Sequence, residues 1–345
     1  MSLDKLYMQR CIKLAKKGKP KAFPNPLVGC VIVKDNKIIS EGYHKKFGLK
    51  HAEIEAINKI KNKEILEDSD IYINLEPCSH KGKTPACVDE IRKYKFKRII
   101  IGSKDPFHKV NGRGIKKLKD FNVKTGCLEK ECIELNKRFF TNHNHKRPYV
   151  ILKWAQTKNN FMGNFNSKER LIISNSYSFK ISHKWRATES SILIGKNTAI
   201  KDNPLLTTRL IKGENPIRII LDQNLETKKD LNVFNKEAKT IIINDKKNEI
   251  NKNLHYVKIK NDKNFVKNLL RFLHKQNIYS LIVEGGNTIL NVFLKSKIWD
   301  EARVFVSNKK IKEGIKAPSI KNMKSKNKKI KTDILKIYRN KQNEL

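Results

Sequence analysis

The residues whose types and order could do chemistry are His51, with Glu53 two positions on, then Cys78 directly after a proline, then Cys87. One imidazole and two thiolates suit zinc with a fourth position left for water, whereas structural zinc sites fill all four positions with protein. Two thiolates offset the metal's charge, and the pKa of a water on such an ion falls towards neutrality. Glu53 adds what a structural site does not need. Attack of water on an amidine-like carbon requires a group that takes a proton from the water, protonates the ring nitrogen and then the leaving amine. One carboxylate beside the metal can do all three. His-x-Glu alone is a common helix surface and Pro-Cys alone is noise. Their order, each after a predicted strand, selects hydrolytic deamination over a purely structural zinc. Cys11, Cys30, Cys127 and Cys132 have no such setting and read as small buried hydrophobes.

These side chains need a scaffold whose strands end where they stand. Apolar periodicity predicts a helix over residues 4–17, and strands over 27–33 and 37–42 joined by the turn KDN as a hairpin. A helix over 51–61 follows, then a strand over 71–75 that ends at Glu76-Pro77-Cys78. A helix over 84–94, a strand over 98–101 and a closing helix over 129–140 complete a mixed sheet covered by helices on both faces. Residues 141–148 (TNHNHKRP) are polar and read as a linker, which sets the domains at 1–145 and 146–345.

Beyond the linker the pattern restarts. Strands are expected over 149–154, 191–194, 217–221, 240–243, 279–283, 303–307 and 333–338, and helices over 177–187, 264–274 and 287–294. The lysine-rich run at 321–331 reads as a solvated loop. No GxGxxG is present, so a Rossmann dinucleotide site is not supported. Instead a strand runs into Glu284-Gly285-Gly286 and a helix start, where glycines let backbone approach a ligand and an exposed N-terminus favours phosphate. An ordinary βα turn would read the same way. Arg186, Thr198, Asp202 and Arg209 are polar residues flanking the strand at 191–194.

Composition excludes some classes of function and leaves others open. The 345 residues are 38% hydrophobic, enough for packed cores, and the longest purely apolar run, 27–33, is far too short to span a membrane. The N-terminus is amphipathic and charged throughout, without the apolar core of a signal peptide, so a cytoplasmic protein is expected. Lys and Arg number 75 against 34 Asp and Glu, a net charge of +41. That excess is spread over every segment and comes mostly as Lys, alongside abundant Asn and Ile, as an AT-biased genome would write at neutral surface positions. A nucleic-acid footprint would instead be a patch or stripe. Neither a nucleic acid nor a membrane is expected as a partner, and the field suits an anionic small substrate.

The cysteine spacing narrows the class. Zinc deaminases of nucleosides and nucleic acids place two residues between their cysteines. Here eight intervene, SHKGKTPA, and His80, Lys81, Lys83 and Thr84 surround a glycine as a cradle for a phosphate. The segments PNPLVGCVIV (24–33), HAE (51–53), NLEPCSHKGKTPAC (74–87), DP (105–106) and NGRG (111–114) resemble the deaminase half of the bifunctional deaminase–reductases of riboflavin biosynthesis. The resemblance continues in order through LK (152–153), WRA (185–187), ILIGKNTAIKDNPLLTTR (192–209), PIRIILD (216–222) and VEGG (283–286), and so spans nearly the whole chain.

The resemblance implies an N-terminal cytidine-deaminase-like three-layer α/β/α domain and a C-terminal dihydrofolate-reductase-like α/β domain. It implies zinc on His51, Cys78 and Cys87, with Glu53 the proton shuttle. The substrate it implies is a diamino-pyrimidinone carrying a ribosylamino 5′-phosphate. Deamination would be followed by NADPH-dependent reduction of the ribosyl group to ribityl. Asn25 becomes a pyrimidine contact by that analogy, and is equally an Asn-Pro turn residue. Thr198, Asp202, Gly286, Asn287 and Thr288 match cofactor contacts; Arg186, Leu206, Arg209 and Glu284 match substrate contacts. A homo-oligomer is expected.

Several positions depart from the family pattern. Thr157-Lys158-Asn159-Asn160 stands where Ser-Leu-Asp-Gly is usual, and NKKIKEG (308–314) where a Pro-Lys-Leu-Leu-Gly type is usual. A Ser-x-Trp pair is absent, with Arg170 and Ile172 nearest. In the first half Ala86 replaces a proline and Phe107-His108 replaces Asn-Pro. Two other readings compete. One is a monofunctional deaminase with a degenerate reductase domain. The other is a zinc deaminase acting on RNA, which the eight-residue spacing and the lack of an aromatic-rich RNA-reading motif disfavour.

Overall fold

In the computed structural model, period-two alternation decides the layering of the first sheet. Cys30 and Ile32 face one side and Val31 and Val33 the other, all buried. Residues 2–81, 85–164, 171–340 and 342 are described, and the chain divides into two units after Lys146.

The first unit runs α1 (Leu3–Ala15), β1 (Gly29–Lys34), β2 (Lys37–Tyr43), α2 (Ala52–Lys59), β3 (Asp70–Leu75), α3 (Cys87–Ile91) and β4 (Arg98–Ser103). It closes with α4 (Arg113–Lys117), β5 (Val123–Thr125), α5 (Glu129–Leu135) and α6 (Lys137–His145). The sheet order is β2-β1-β3-β4-β5, antiparallel through the hairpin and β3, then parallel. The expected hairpin forms, with Asp35 and Asn36 both at positive φ, the backbone that a two-residue turn needs. Ala52, Ala56 and Ile57 of α2 and Val88 and Ile91 of α3 cover the Cys30 face. Tyr7, Met8, Cys11 and Leu14 of α1 cover the Val31 face with Cys132 of α5. The expected three-layer α/β/α arrangement results.

The second unit carries β6 (Tyr149–Gln156), β7 (Phe161–Gly163), α7 (Ser176–Arg186), β8 (Ser191–Gly195), α8 (Lys196–Asp202), β9 (Ile217–Leu221) and β10 (Thr240–Asn244). Then come β11 (Glu249–Ile250), β12 (Leu254–Lys258), α9 (Phe265–Lys275), β13 (Ser280–Val283), α10 (Asn287–Ser296) and β14 (Glu301–Val306). The last are β15 (Ile315–Lys316), β16 (Ser325–Ile330) and β17 (Asp333–Arg339). The main sheet is ordered β11-β12-β10-β9-β8-β13-β6-β14-β17-β16 and is parallel from β12 to β14. Helices α9 and α10 bury Leu269, Leu273, Leu290 and Phe293 on one face. Ala199 of α8 and Leu206 pack on the other.

Three local expectations are corrected. The run at 321–331 is not a loop: β16 pairs antiparallel with β17 at the sheet edge. An edge strand bonds on one side only, and its lysines discourage a further strand, so it shows no apolar alternation. The stretch at 141–148 is not a coreless linker, because α6 continues to His145 with Thr141 and Asn142 buried, and Arg147 pairs with Asp300 at 2.6 Å. The closing helix breaks at Asn136, whose side chain accepts from Leu27 N at 2.8 Å and donates to Leu27 O at 2.9 Å. The predicted start of the third helix, Thr84, lies outside the described residues.

Candidate active sites

Strand ends bring the candidate metal-binding set together. His51 is the extended residue that opens α2, and Glu53 stands in that helix's first turn. Gly42 of β2 lets the helix dock, since a Cβ there would come within 2.1 Å of Ala52 O. Cys78 follows β3, and Cys87 is the first residue of α3. His51 Nδ1 lies 3.2 Å from Cys87 Sγ and 3.6 Å from Cys78 Sγ. All three ligand atoms fall within 4.8 Å of one another. Among the described residues no other group of three His, Cys, Asp or Glu meets that geometry.

The electrostatics divide the sulfurs. Hydrogen bonds from Cys87 and His51 hold Cys78 below the ordinary thiol range, and Cys87 is pushed up by its bond to Cys78 and by burial. The Cys78 thiolate in turn raises His51. A thiolate, an adjacent thiol and an imidazole suit a divalent soft-to-borderline cation. Glu53 is buried, its Oε2 has no partner among the described groups, and burial raises its carboxyl. An orphaned buried carboxylate oxygen beside three ligand atoms fits a zinc site that also holds a reacting water.

Two features here escaped the sequence reading. His44 is buried; its Nδ1 donates to Lys50 O at 3.1 Å, so its Nε2 is the acceptor 3.1 Å from Asn25 Nδ2. Its ring meets that of His51 edge-on at 5.2 Å. Glu76, also buried, accepts from four backbone N–H groups: Asp105 and Gly112 on Oε2, Gly114 and Ile115 on Oε1, all at 2.9–3.2 Å. Gly114 is forced, because a Cβ would sit 2.3 Å from Pro77 O. The NGRG segment thus wraps a carboxylate two residues before Cys78. An acid immediately before Pro-Cys was the available sign. Of the expected phosphate cradle, Lys83 and Thr84 lie outside the described residues; His80 packs its ring against Phe107 at 5.7 Å.

In the second unit the charged set converges. Glu284, just past β13, takes Arg186 Nη2 at 2.9 Å and Lys153 Nζ at 3.8 Å. Burial alone would raise its carboxyl, but Arg186 and Lys153 outweigh burial and bring it down to about 2. Arg186 also reaches Thr207 O at 3.5 Å. Leu206 is buried at φ +55, and Arg209 is exposed but close enough to lower His183, whose pKa burial and the arginines bring down to about 4. Lys153 and His183 are additions to the expected set.

A cleft of about 320 Å³ crosses the carboxyl ends of β8, β9 and β10 and is lined by Thr198, Gly286 and Thr288 of the expected cofactor residues. Asp202 and Asn287 are not among the described residues that line it. Its glycines are set by packing: a Cβ on Gly285 would lie 2.8 Å from Ile194, one on Gly195 2.5 Å from Ile289, and Gly286 sits at φ +66. The cleft follows the rule that open parallel sheets bind ligands outside the carboxyl ends of their strands. The helix α10 opens onto it at Gly286, so the residues present fit a pyrophosphate-bearing dinucleotide.

Comparison with known proteins decides the family. Residues 1–103 match the cytidine and deoxycytidylate deaminase zinc-binding region, and residues 148–327 match the RibD C-terminal domain. A riboflavin biosynthesis protein RibD from Aquifex aeolicus is 40% identical over 320 residues, covering 91% of this chain and 89% of that protein. The chain belongs to the RibD family. It is a bifunctional deaminase and reductase of riboflavin biosynthesis, with a zinc-binding first half and an NADPH-dependent second half. A diaminohydroxyphosphoribosylaminopyrimidine deaminase/5-amino-6-(5-phosphoribosylamino)uracil reductase from Thermotoga maritima has the same fold, with a TM-score of 0.88, 33% identity and 98% of both chains covered. A diaminohydroxyphosphoribosylamino-pyrimidine deaminase from Buchnera aphidicola is 50% identical over 139 residues, 93% of that protein but 40% of this chain.

Within the RibD frame the two divergent segments of the reductase half meet each other. Lys158 N donates to Lys309 O at 2.8 Å and Asn159 Nδ2 to Ile311 O at 2.7 Å, and just beyond the second segment Ala317 N donates to Asn160 O at 2.8 Å. Asn160 at φ +65 does the work of a turn glycine. At the absent Ser-x-Trp pair, Arg170 lies outside the described residues and Ile172 is exposed.

Proposed function

We propose that His51, Cys78 and Cys87 hold the zinc of the deaminase half and that Glu53 is its proton shuttle. The observation that carries this reading is the orphaned, buried Oε2 of Glu53 beside three converging ligand atoms. Zinc bound there supplies an acidified water for attack on the amidine carbon. Glu53 would take one proton from the attacking water and give it to the ring nitrogen, then take the second from the new hydroxyl and give it to the amine as the carbon–nitrogen bond breaks, leaving a carbonyl and releasing ammonia. Its raised carboxyl suits a group that must both take and give a proton near neutral pH. Asn25, its N–H held by His44, offers Oδ1 to the substrate pyrimidine. The substrate is a diamino-pyrimidinone ribosylamino 5′-phosphate, with His80 and Lys81 beside its phosphate.

In the reductase half, Arg186 and Arg209 hold the anionic substrate, with Leu206 against its base. Glu284, kept ionised by Arg186 and Lys153, binds its hydroxyls. Thr198, Gly286 and Thr288 line the cofactor, with Asp202 and Asn287 in supporting positions at α8 and α10. NADPH supplies the hydride that takes ribosyl to ribityl. The bonded pair of divergent segments supports a working reductase over a decayed one, since a decaying loop has no reason to keep its partner's backbone satisfied.

Both reactants carry phosphates that do not cross membranes unaided, which favours a cytoplasmic site, and no helix among the described residues is long and apolar enough to cross a membrane. The proposal includes self-association, which light scattering on a sizing column reads directly. The deciding test is product analysis on zinc-loaded protein with and without NADPH. The aminouracil should appear without NADPH and its ribityl form only with it. Deaminated product alone under both conditions overturns the reductase assignments, and no turnover overturns the zinc assignments.

A further inference from the structure

The cofactor cleft carries one ion pair. Lys196, directly after β8, and Glu226, in the loop after β9, both line it, with Nζ 2.6 Å from Oε2. The carboxylate is held in place. Asn224 Nδ2 donates to its other oxygen at 3.1 Å. Buried Asp222 fixes the loop backbone by accepting from Glu226 N at 3.0 Å and Thr227 N at 2.8 Å. Lys196 and Asn224 keep Glu226 below the ordinary carboxylate range, so it is charged at neutral pH.

The lining fixes where on a dinucleotide this pair must fall. The Arg186–Glu284–Lys153 cluster marks the substrate end, next to β6 and β13. Thr198, Gly286 and Thr288 lie at the opening of α10, the place for pyrophosphate. Further along, Ile243, Ile259 and Phe265 make an apolar slot at the carboxyl end of β10, suited to a purine face. A ribose always links the pyrophosphate to the purine. Lys196 and Glu226 follow β8 and β9, the strands between those two places, and that ribose bears the only group by which NADPH differs from NADH, the 2′-phosphate.

We propose that the Lys196–Glu226 ion pair sets the choice between phosphorylated and unphosphorylated dinucleotide, Lys196 taking the 2′-phosphate and Glu226 competing with it for that cation. A phosphate dianion is drawn to the ammonium and repelled by the carboxylate; a ribose diol donates to the carboxylate instead. The pair therefore damps the preference that an unpaired lysine would give. The inference rests on the reductase reading.

The test is binding, read by calorimetry or quenching of intrinsic fluorescence, for NADPH, NADH, 2′,5′-ADP and ADP with the full zinc-loaded chain. Both side chains are partly exposed, so Lys196→Gln and Glu226→Gln keep the fold. Lys196→Gln should weaken NADPH and 2′,5′-ADP about tenfold and leave NADH and ADP within about twofold. Glu226→Gln should tighten NADPH and 2′,5′-ADP at least about threefold and weaken NADH. Equal shifts for phosphorylated and unphosphorylated ligands, or none, would overturn the inference while leaving the reductase reading intact. A wild-type chain that binds neither dinucleotide would overturn both.

Discussion

Replacing Glu76 by Gln tests whether the loop beside the candidate metal site is held by one carboxylate. The wild-type side chain accepts two backbone N–H groups on each oxygen. A glutamine can satisfy only one of those pairs and turns an NH₂ towards the other, leaving one buried and one part-buried donor facing a donor. Hydrogen bonds to a charged group contribute roughly 1.5–3 kcal/mol each, and taking about 1.5–2 for each of two gives about 3–4 kcal/mol. At about 1.4 kcal/mol per decade this is two to three decades in the equilibrium for local opening. Hydrogen–deuterium exchange on peptides covering 103–115 in the zinc-loaded chain should therefore lose protection by about 10²–10³. The second unit should show no change. Because the same clamp closes onto Pro77 O through Gly114, zinc should also dissociate faster from E76Q. Unchanged protection across 103–115 in a zinc-replete E76Q protein would refute the argument, since two unsatisfied donors, one of them buried, cannot be silent.

Four further outcomes follow from the same geometry. Glu53→Gln should retain zinc by metal analysis yet lose about 10²–10⁴ in deamination rate, with reduction of supplied aminouracil unchanged. Stripping zinc with a chelator should lower the first thermal transition and leave the second, because the ligands come from three separate elements of the first unit only. The depressed Glu284 carboxyl contributes stability that is complete above its ordinary pKa near 4.5 and is lost as pH falls towards about 2. Denaturation of the Glu284→Gln protein should accordingly lose that part of the wild-type acid sensitivity. Gly285→Ala should weaken NADPH binding and destabilise the second unit, since its Cβ would press on Ile194 within a packed strand.

How much of this was legible depends on which physical rule placed each residue. The convergence of His51, Cys78 and Cys87 was readable because metal chemistry restricts residue type, and because strand ends are marked by Pro and by a switch in apolar period. The sheets were readable wherever alternation or unbroken apolar runs marked them, as at β1 and β9. The edge strand β16 was not, since an edge is kept safe by lysines in place of alternation. Glu76 and His44 were missed for a related reason. A carboxylate that binds only backbone N–H groups leaves no complementary charge in the sequence, and a histidine that sets an asparagine's orientation is 19 residues from it. Glu284 shows the converse: its cationic partners Lys153 and Arg186 are distant in sequence, and only the parallel order β13-β6 brings the first of them alongside.

The divergent segments extend this argument from single residues to pairs. Taken separately, Thr157-Lys158-Asn159-Asn160 and NKKIKEG look like losses in a chain rich in Lys and Asn throughout. Together they make a bonded turn in which each supplies the other's missing backbone partners, and Asn160 takes a left-handed conformation that asparagine tolerates better than most residues other than glycine. Drift on a free surface does not need such matching, because water satisfies exposed backbone equally well. Matching is required where the segment must hold one shape. This turn follows β6, the strand that delivers Lys153 to Glu284, so its order bears on the reductase site itself. Substituting Asn159→Ala should free Ile311 O, raise exchange across 307–317, and weaken substrate binding to the reductase while deamination continues unchanged. Were exchange to rise with reductase KM unaltered, the turn would be scaffold only, and the case for a functional constraint on these two segments would fall.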